Sequence, residues 1–171
     1  MKTLILGGAR SGKSALAERL AEESGLAVTY VATATAGDAE MAERIAHHRA
    51  RRPGAWALAE ELTALADCLK RHAAPDRCLL VDCLTLWLAN SLGDEALFRR
   101  EWTALLEALP ALPGRIILVS NEVGMGIVPL GELSRRFVDE AGRLHQELAR
   151  QCDQVIFVAA GLPLVMKGNS P

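Results

Sequence analysis

Aromatic side chains are scarce in this chain: phenylalanine, tryptophan and tyrosine together make up 4% of its 171 residues. Trp56, Trp87 and Trp102 stand in separate segments, so they read as packing residues or subunit contacts and not as a platform for stacking bases. Excess charge of either sign is also missing. The formal net charge is −2, which gives no basic footprint for nucleic acid or anionic lipid; Arg49, Arg51 and Arg52 form a local exception. The four cysteines, Cys68, Cys78, Cys83 and Cys152, lack C-x-x-C spacing. That argues against a zinc site or a disulfide framework and for ordinary buried thiols. No apolar run approaches the length needed to span a bilayer, and the chain enters a strand-like run at once, leaving no room for a signal peptide. The expected location is the cytoplasm. Internal repeats and low-complexity tracts are absent. What is there is an Ala/Leu/Val-rich chain, 50% apolar and 23% charged, long enough to form one domain over residues 1–171 with its own core.

Short β-rich runs alternate with helical patterns. Lys2 to Leu6, Ala27 to Ala32, Cys78 to Val81, Arg115 to Ser120 and Val155 to Ala159 read as five strands, most of them continuous apolar runs of the kind covered on both faces. Helices are expected over Lys13 to Ser24, Asp38 to Arg51 and Ala59 to Arg71, in a pair across Leu84 to Leu109 divided near Gly93, and over Gly131 to Cys152. In the last of these, Leu133, Phe137, Ala141, Leu144 and Leu148 recur at helical spacing. The alternation implies an α/β protein, a mostly parallel sheet flanked by helices.

The most specific signal lies at the first strand's end. Gly7-Gly8-Ala9-Arg10-Ser11-Gly12-Lys13-Ser14 is a complete G-x-x-x-x-G-K-[S/T] loop between a strand and a helix. Such a loop points backbone N–H groups and the positive end of a helix dipole at one spot, which suits a chain of phosphates. Lys13 would reach the β- and γ-phosphates, and the Ser14 hydroxyl would hold the Mg²⁺ that accompanies the nucleotide.

Three other places lie where they would help. Asp82 closes the apolar run Leu79-Leu80-Val81, as a metal-organising carboxylate does in P-loop enzymes; a solvated or helix-capping acid is the alternative. His47 and His48 sit in the Arg-rich segment Asp38 to Pro53, about 100° apart if helical, so one faces any site and the other does not. An imidazole flanked by guanidinium groups suits attack on phosphorus; taken by the residues alone, a solvated helix face with a Glu43–His47 pair is the preferred reading. Asn121 to Pro129 follows the fourth strand with polar and apolar groups around two glycines, and is expected to be a substrate wall, a flap or a structural loop. The strands' carboxyl ends bring the glycine loop, Thr33, Asp82 and Asn121 to one edge, where open α/β sheets bind ligands.

Taken in order, GGARSGKS, RIAHHRARRPGAW, LLVDCLTLWLAN and SNEVGMGIVP resemble the bifunctional adenosylcobinamide kinase / adenosylcobinamide-phosphate guanylyltransferase family, from Leu4 to about Lys167. The resemblance implies a RecA-like, three-layer P-loop NTPase fold. It implies that ATP or GTP phosphorylates adenosylcobinamide, and that GMP then passes from GTP through an enzyme histidine to adenosylcobinamide phosphate. By motif, His47 is the guanylylated residue and Lys13 its catalytic companion. The nucleotide contacts map to Gly7, Gly8, Ala9, Arg10, Ser11, Gly12, Lys13 and Ser14, to Ala32, Thr33 and Ala34, to His48, Arg49, Ala50 and Arg51, to Glu60 and to Asp82, with Mg²⁺ at Ser14 and Asp82. A homotrimer is implied, with Trp87 and the helices after Asp82 near a subunit boundary. Asp82 stands where a glutamate is also familiar in the family, and Ala34 where a hydroxyl residue occurs.

The rival readings are a P-loop small-molecule kinase without guanylyltransferase activity, a GTP-dependent switch, and a motor module on nucleic acid. The fourth strand ends in Asn121-Glu122-Val123-Gly124, not in the Asn-Lys-x-Asp by which switch proteins read guanine, and the charge disfavours the motor.

Overall fold

The structure is a computed structural model that describes residues 1–34 and 53–169. Its centre is a seven-stranded sheet in the order β3-β2-β4-β5-β1-β6-β7. The strands are β1 (Lys2–Gly7), β2 (Ala27–Ala32), β3 (Ala57–Glu60), β4 (Arg77–Asp82), β5 (Arg115–Asn121), β6 (Gln154–Ala159) and β7 (Leu162–Lys167). All pairings are parallel except β6 with β7. The helices are α1 (Lys13–Glu22), α2 (Leu65–His72), α3 (Leu84–Ser91), α4 (Glu95–Ala108) and α5 (Glu132–Gln151).

Successive strand residues point to opposite faces of a sheet, and both faces of the interior strands are buried here. Leu4, Leu6, Leu79, Val81, Ile116, Leu118 and Val155 join one core with Leu69 of α2, Leu88 of α3, Leu105 of α4 and Leu148 of α5. The alternate residues Ile5, Tyr30, Leu80, Ile117, Val119 and Ile156 join a second core with Leu16 and Leu20 of α1. The result is the expected three-layer arrangement. All four cysteines are buried and free, and burial pushes the Cys152 thiol up to about 12.

Three expectations need correction. The helix foreseen over Ala59 to Arg71 gives way to strand β3 followed by the shorter helix α2. The Ala-Leu-Ala-Glu segment is locally helix-forming, but its parallel pairing with β2, from Thr29 opposite Ala57 to Ala32 opposite Glu60, overrides that preference. The Glu61 carboxylate then accepts the N–H groups of Thr63 (3.1 Å) and Ala64 (2.8 Å), delaying the helix to Leu65. Strand β7 was not foreseen; Ala160 and Gly161, both at positive φ, make the two-residue turn that starts it, and Pro163 is tolerated because the strand lies at an edge. Leu133 begins the apolar stripe of α5 but is 63% exposed, one turn beyond the part of the helix that packs. Trp87 is 1% exposed within its own chain, its indole N–H donating to the Thr63 carbonyl at 2.7 Å. It therefore fastens α3 to the segment after β3. The division near Gly93 holds: Asp94 caps α4, its carboxylate accepting the Leu97 N–H at 3.0 Å. The helix expected over Asp38 to Arg51 lies outside the described residues.

Candidate nucleotide site

The glycine loop is held by hydrogen bonds and contacts of its own backbone. Ser11 N–H donates to the Gly8 carbonyl at 3.2 Å, and Leu16 N–H closes the first turn of α1 onto the Gly12 carbonyl at 3.0 Å. Gly12, at the N-cap of α1, has φ +96°, and a Cβ there would lie 3.1 Å from the Gly161 Cα. The turn between β6 and β7 is thus the loop's backing, and Gly161 N–H donates to the Ser11 carbonyl at 2.8 Å. A Cβ on Gly7 would meet the Val158 carbonyl oxygen at 2.5 Å and Ser11 Oγ at 2.6 Å, whereas nothing stands within 4 Å of one on Gly8. The loop is tight at its root and open at its crown. Ala9 and Arg10 are exposed, Gly8 and Ser14 partly so. No side chain caps the N-terminus of α1, so its first N–H groups are left to serve the loop's concave side.

Lys13 is 7% exposed, and its ammonium donates to the Gly8 carbonyl at 3.1 Å. Burial lowers its pKa, opposed first by the Asp82 carboxylate and then by Cys83. Asp82, at the end of β4, is therefore within electrostatic reach of Lys13, though two strands separate them in sequence. The register explains this: Gly7 lies opposite Asn121, and Asp82 opposite both Val119 and Ala32. The loop, Asn121, Asp82 and Thr33 share the sheet's carboxyl edge as expected.

Thr33 is fully buried. Its hydroxyl donates to the Cys83 carbonyl (2.7 Å) and accepts the Cys83 N–H (2.9 Å), while its own carbonyl takes the Asn90 amide at 2.9 Å. Ala32 and Ala34 flank it, each partly exposed. Glu60 ends β3 opposite Ala32. His47, His48, Arg49, Ala50 and Arg51 lie outside the described residues.

The loop from Asn121 to Pro129 has a polar root and an apolar crown. Asn121 donates its side-chain amide to Thr85 Oγ1 at 3.0 Å, and Glu122 N–H donates to the Gly7 carbonyl at 3.0 Å. Met125, Ile127 and Val128 are 79%, 98% and 73% exposed. Beneath this root lie two residues the sequence reading passed over, Ser120 and His145, whose Oγ and Nε2 are 2.8 Å apart. The available signal was a histidine beside Leu144 in the apolar stripe of α5.

A glycine cradle closing β1, a buried lysine beneath it and an acid closing a nearby parallel strand define a P-loop nucleotide-binding α/β protein. At the level of fold the chain is similar to the crystal structure of the RadB recombinase, with TM-score 0.54 and 19% identity over 91% of this chain and 73% of that one. A Pyrococcus horikoshii OT3 protein is similar too, with TM-score 0.56 and 10% identity over 99% and 87%. Residues 3–166 match the cobinamide kinase / cobinamide phosphate guanyltransferase family, to which the chain belongs. It is 65% identical over 171 residues, 99% of each chain, to the bifunctional adenosylcobalamin biosynthesis protein CobP of Pseudomonas aeruginosa. The bifunctional adenosylcobalamin biosynthesis protein CobU of Salmonella typhimurium is 40% identical over 182 residues, covering 98% of this chain and 100% of its own. Among the described residues no helix is long and apolar enough to cross a membrane.

Proposed function

We propose that this chain, as one catalytic domain, phosphorylates adenosylcobinamide with ATP or GTP and then transfers GMP from GTP to adenosylcobinamide phosphate. The observation that carries the reading is full-length similarity to bifunctional relatives, joined to a glycine cradle already shaped for phosphates. In the first reaction the acceptor's hydroxyl oxygen bonds to the γ-phosphorus as the bond to the β–γ bridging oxygen breaks. Lys13 and the loop N–H groups from Gly8 to Ser14 would hold the phosphates and offset the charge that develops on them. In the second, a neutral His47 nitrogen attacks the α-phosphorus of GTP and pyrophosphate leaves. The resulting guanylyl-histidine then yields its GMP to the phosphate of the cobinamide, restoring the imidazole.

The remaining assignments follow the same reading. His48, Arg49, Ala50 and Arg51 would line the nucleotide beside His47; Ala32, Thr33, Ala34 and Glu60 would border it from the ends of β2 and β3. The residues present fit Mg²⁺ with the nucleotide: the cradle contains a buried hydroxyl, Ser11 Oγ, with no hydrogen-bond partner, and Asp82 supplies a hard oxygen donor within electrostatic reach of Lys13, the residue before Ser14. Ser14 and Asp82 would hold the ion, which neutralises phosphate charge when bound. Thr33, having committed its hydroxyl to Cys83, would meet the nucleotide only through its backbone. A homotrimer acting in the cytoplasm completes the proposal.

The test is to incubate the protein with α-labelled GTP, denature it, and look for acid-labile label on protein. Label on the native chain that disappears in His47→Ala supports the transfer; label that survives His47→Ala overturns the assignment. Conversion of adenosylcobinamide to its phosphate alone would reduce the function to a kinase.

A further inference from the structure

Ser120, His145 and Glu122 form a polar relay under the root of the Asn121–Pro129 loop. His145 is 7% exposed on the packed face of α5, and Ser120 is 1% exposed near the end of β5. Between them Nε2 and Oγ are 2.8 Å apart. On the other side of the ring, Nδ1 lies 3.8 Å from Glu122 Oε2. A carboxylate facing Nδ1 favours the tautomer with its proton there, leaving Nε2 to accept the Ser120 hydroxyl. The order serine, histidine, carboxylate is that of an activated nucleophile. Here the serine is sealed inside the sheet opposite Leu6, so it cannot meet a substrate.

What the relay does control is Glu122. The other carboxylate oxygen, Oε1, accepts the Gly124 N–H at 2.5 Å, and the Glu122 N–H donates to the carbonyl of Gly7 at 3.0 Å. One residue thus faces His145 of α5 at 3.8 Å and is hydrogen-bonded to the first turn of the apolar loop and to the first glycine of the cradle. Strand β5 lies between β4 and β1 in the sheet, so this turn emerges between Asp82 and the glycine loop. A displacement of Glu122 there alters the geometry across the phosphates.

We propose that His145 is a positioning residue for phosphoryl transfer, acting through Glu122 to fix the Glu122–Gly124 turn against Gly7. The kinetic part rests on the kinase reading above; the structural part does not. The experiment compares full-length His145→Ala, Glu122→Ala, their double variant and the milder His145→Gln. Each is first shown to unfold cooperatively, and His145→Gln or Glu122→Ala carries the test if His145→Ala does not fold. Hydrogen exchange in the absence of substrate should be faster in peptides covering residues 121–130 of each single variant, while peptides from β1 and β4 stay protected. Kinase assays should show kcat reduced roughly 10- to 100-fold, as misplacement of reacting groups predicts, with KM for the nucleotide nearly unchanged. The double variant should be no worse than Glu122→Ala, because the two residues act in series. Unchanged exchange at 121–130, additive losses in the double variant, or a loss confined to KM would each overturn the proposal. If the wild-type protein does not phosphorylate adenosylcobinamide, the kinase reading fails and the exchange comparison still decides the relay.

Discussion

The Thr33 hydroxyl grips the Cys83 peptide unit at both ends, donating to its carbonyl at 2.7 Å and accepting its N–H at 2.9 Å. This joins the residue after β2 to the residue after β4, and so steadies Asp82 from behind. Thr33→Val keeps the shape and removes both bonds, leaving a buried N–H and C=O unpaired. The expected loss of stability is about 2–4 kcal/mol, read from urea unfolding, whereas Thr33→Ser, which keeps the hydroxyl, should lose only about 1 kcal/mol.

Lys13 is a cation held in a poorly solvated place, its pKa lowered chiefly by burial. Lys13→Met should leave the melting temperature of the ligand-free protein unchanged or raised, because a desolvated charge is replaced by an apolar chain of similar length. The same variant should lose the stabilisation that nucleotide confers, about 2.7 kcal/mol for the native protein at a hundredfold excess over Kd. Thermal scans with and without GTP measure both effects.

Asp82→Asn separates metal binding from phosphate binding. The Mg²⁺ concentration giving half-maximal kinase rate should rise at least tenfold. In EDTA, affinity for a fluorescent GTP analogue should hold or improve, since the negative charge facing the phosphates has gone. An unchanged Mg²⁺ requirement would remove Asp82 from the proposed metal site.

His145 has its pKa lowered from 6.5 by burial, with Glu122 pulling the other way. Above pH 6.5 the ring is neutral in both folded and unfolded chains, and its burial carries no protonation penalty. As pH falls through 6.5 the unfolded chain takes up the proton first, so stability drops until the folded pKa is also passed. The native protein should therefore lose more stability between pH 7 and pH 5 than His145→Gln, in paired denaturant titrations. Equal slopes for the two proteins would contradict this.

The strands of the sheet interior were readable because burial on both faces demands uninterrupted apolar residues, as in Leu79-Leu80-Val81. The edge strands were not. Leu58 and Leu164 are 44% and 63% exposed, and neither β3 nor β7 carries the pattern of a fully covered strand. The first reads locally as helix, and the second contains a proline. The glycine loop was legible because its pattern is local, and two of its glycines, Gly7 and Gly12, answer steric demands at the loop's root and at the N-cap of α1.

By itself the sequence determined the three-layer α/β class, the phosphate-binding loop and the family, since those rest on local spacing and on motifs read in order. Only the tertiary structure decided that Thr33 holds Cys83, that the β6–β7 turn backs the glycine loop, and that His145 reaches Glu122. Each of those joins residues far apart in the chain, through hydrogen bonds and close packing that exist only once parallel strands have set the register.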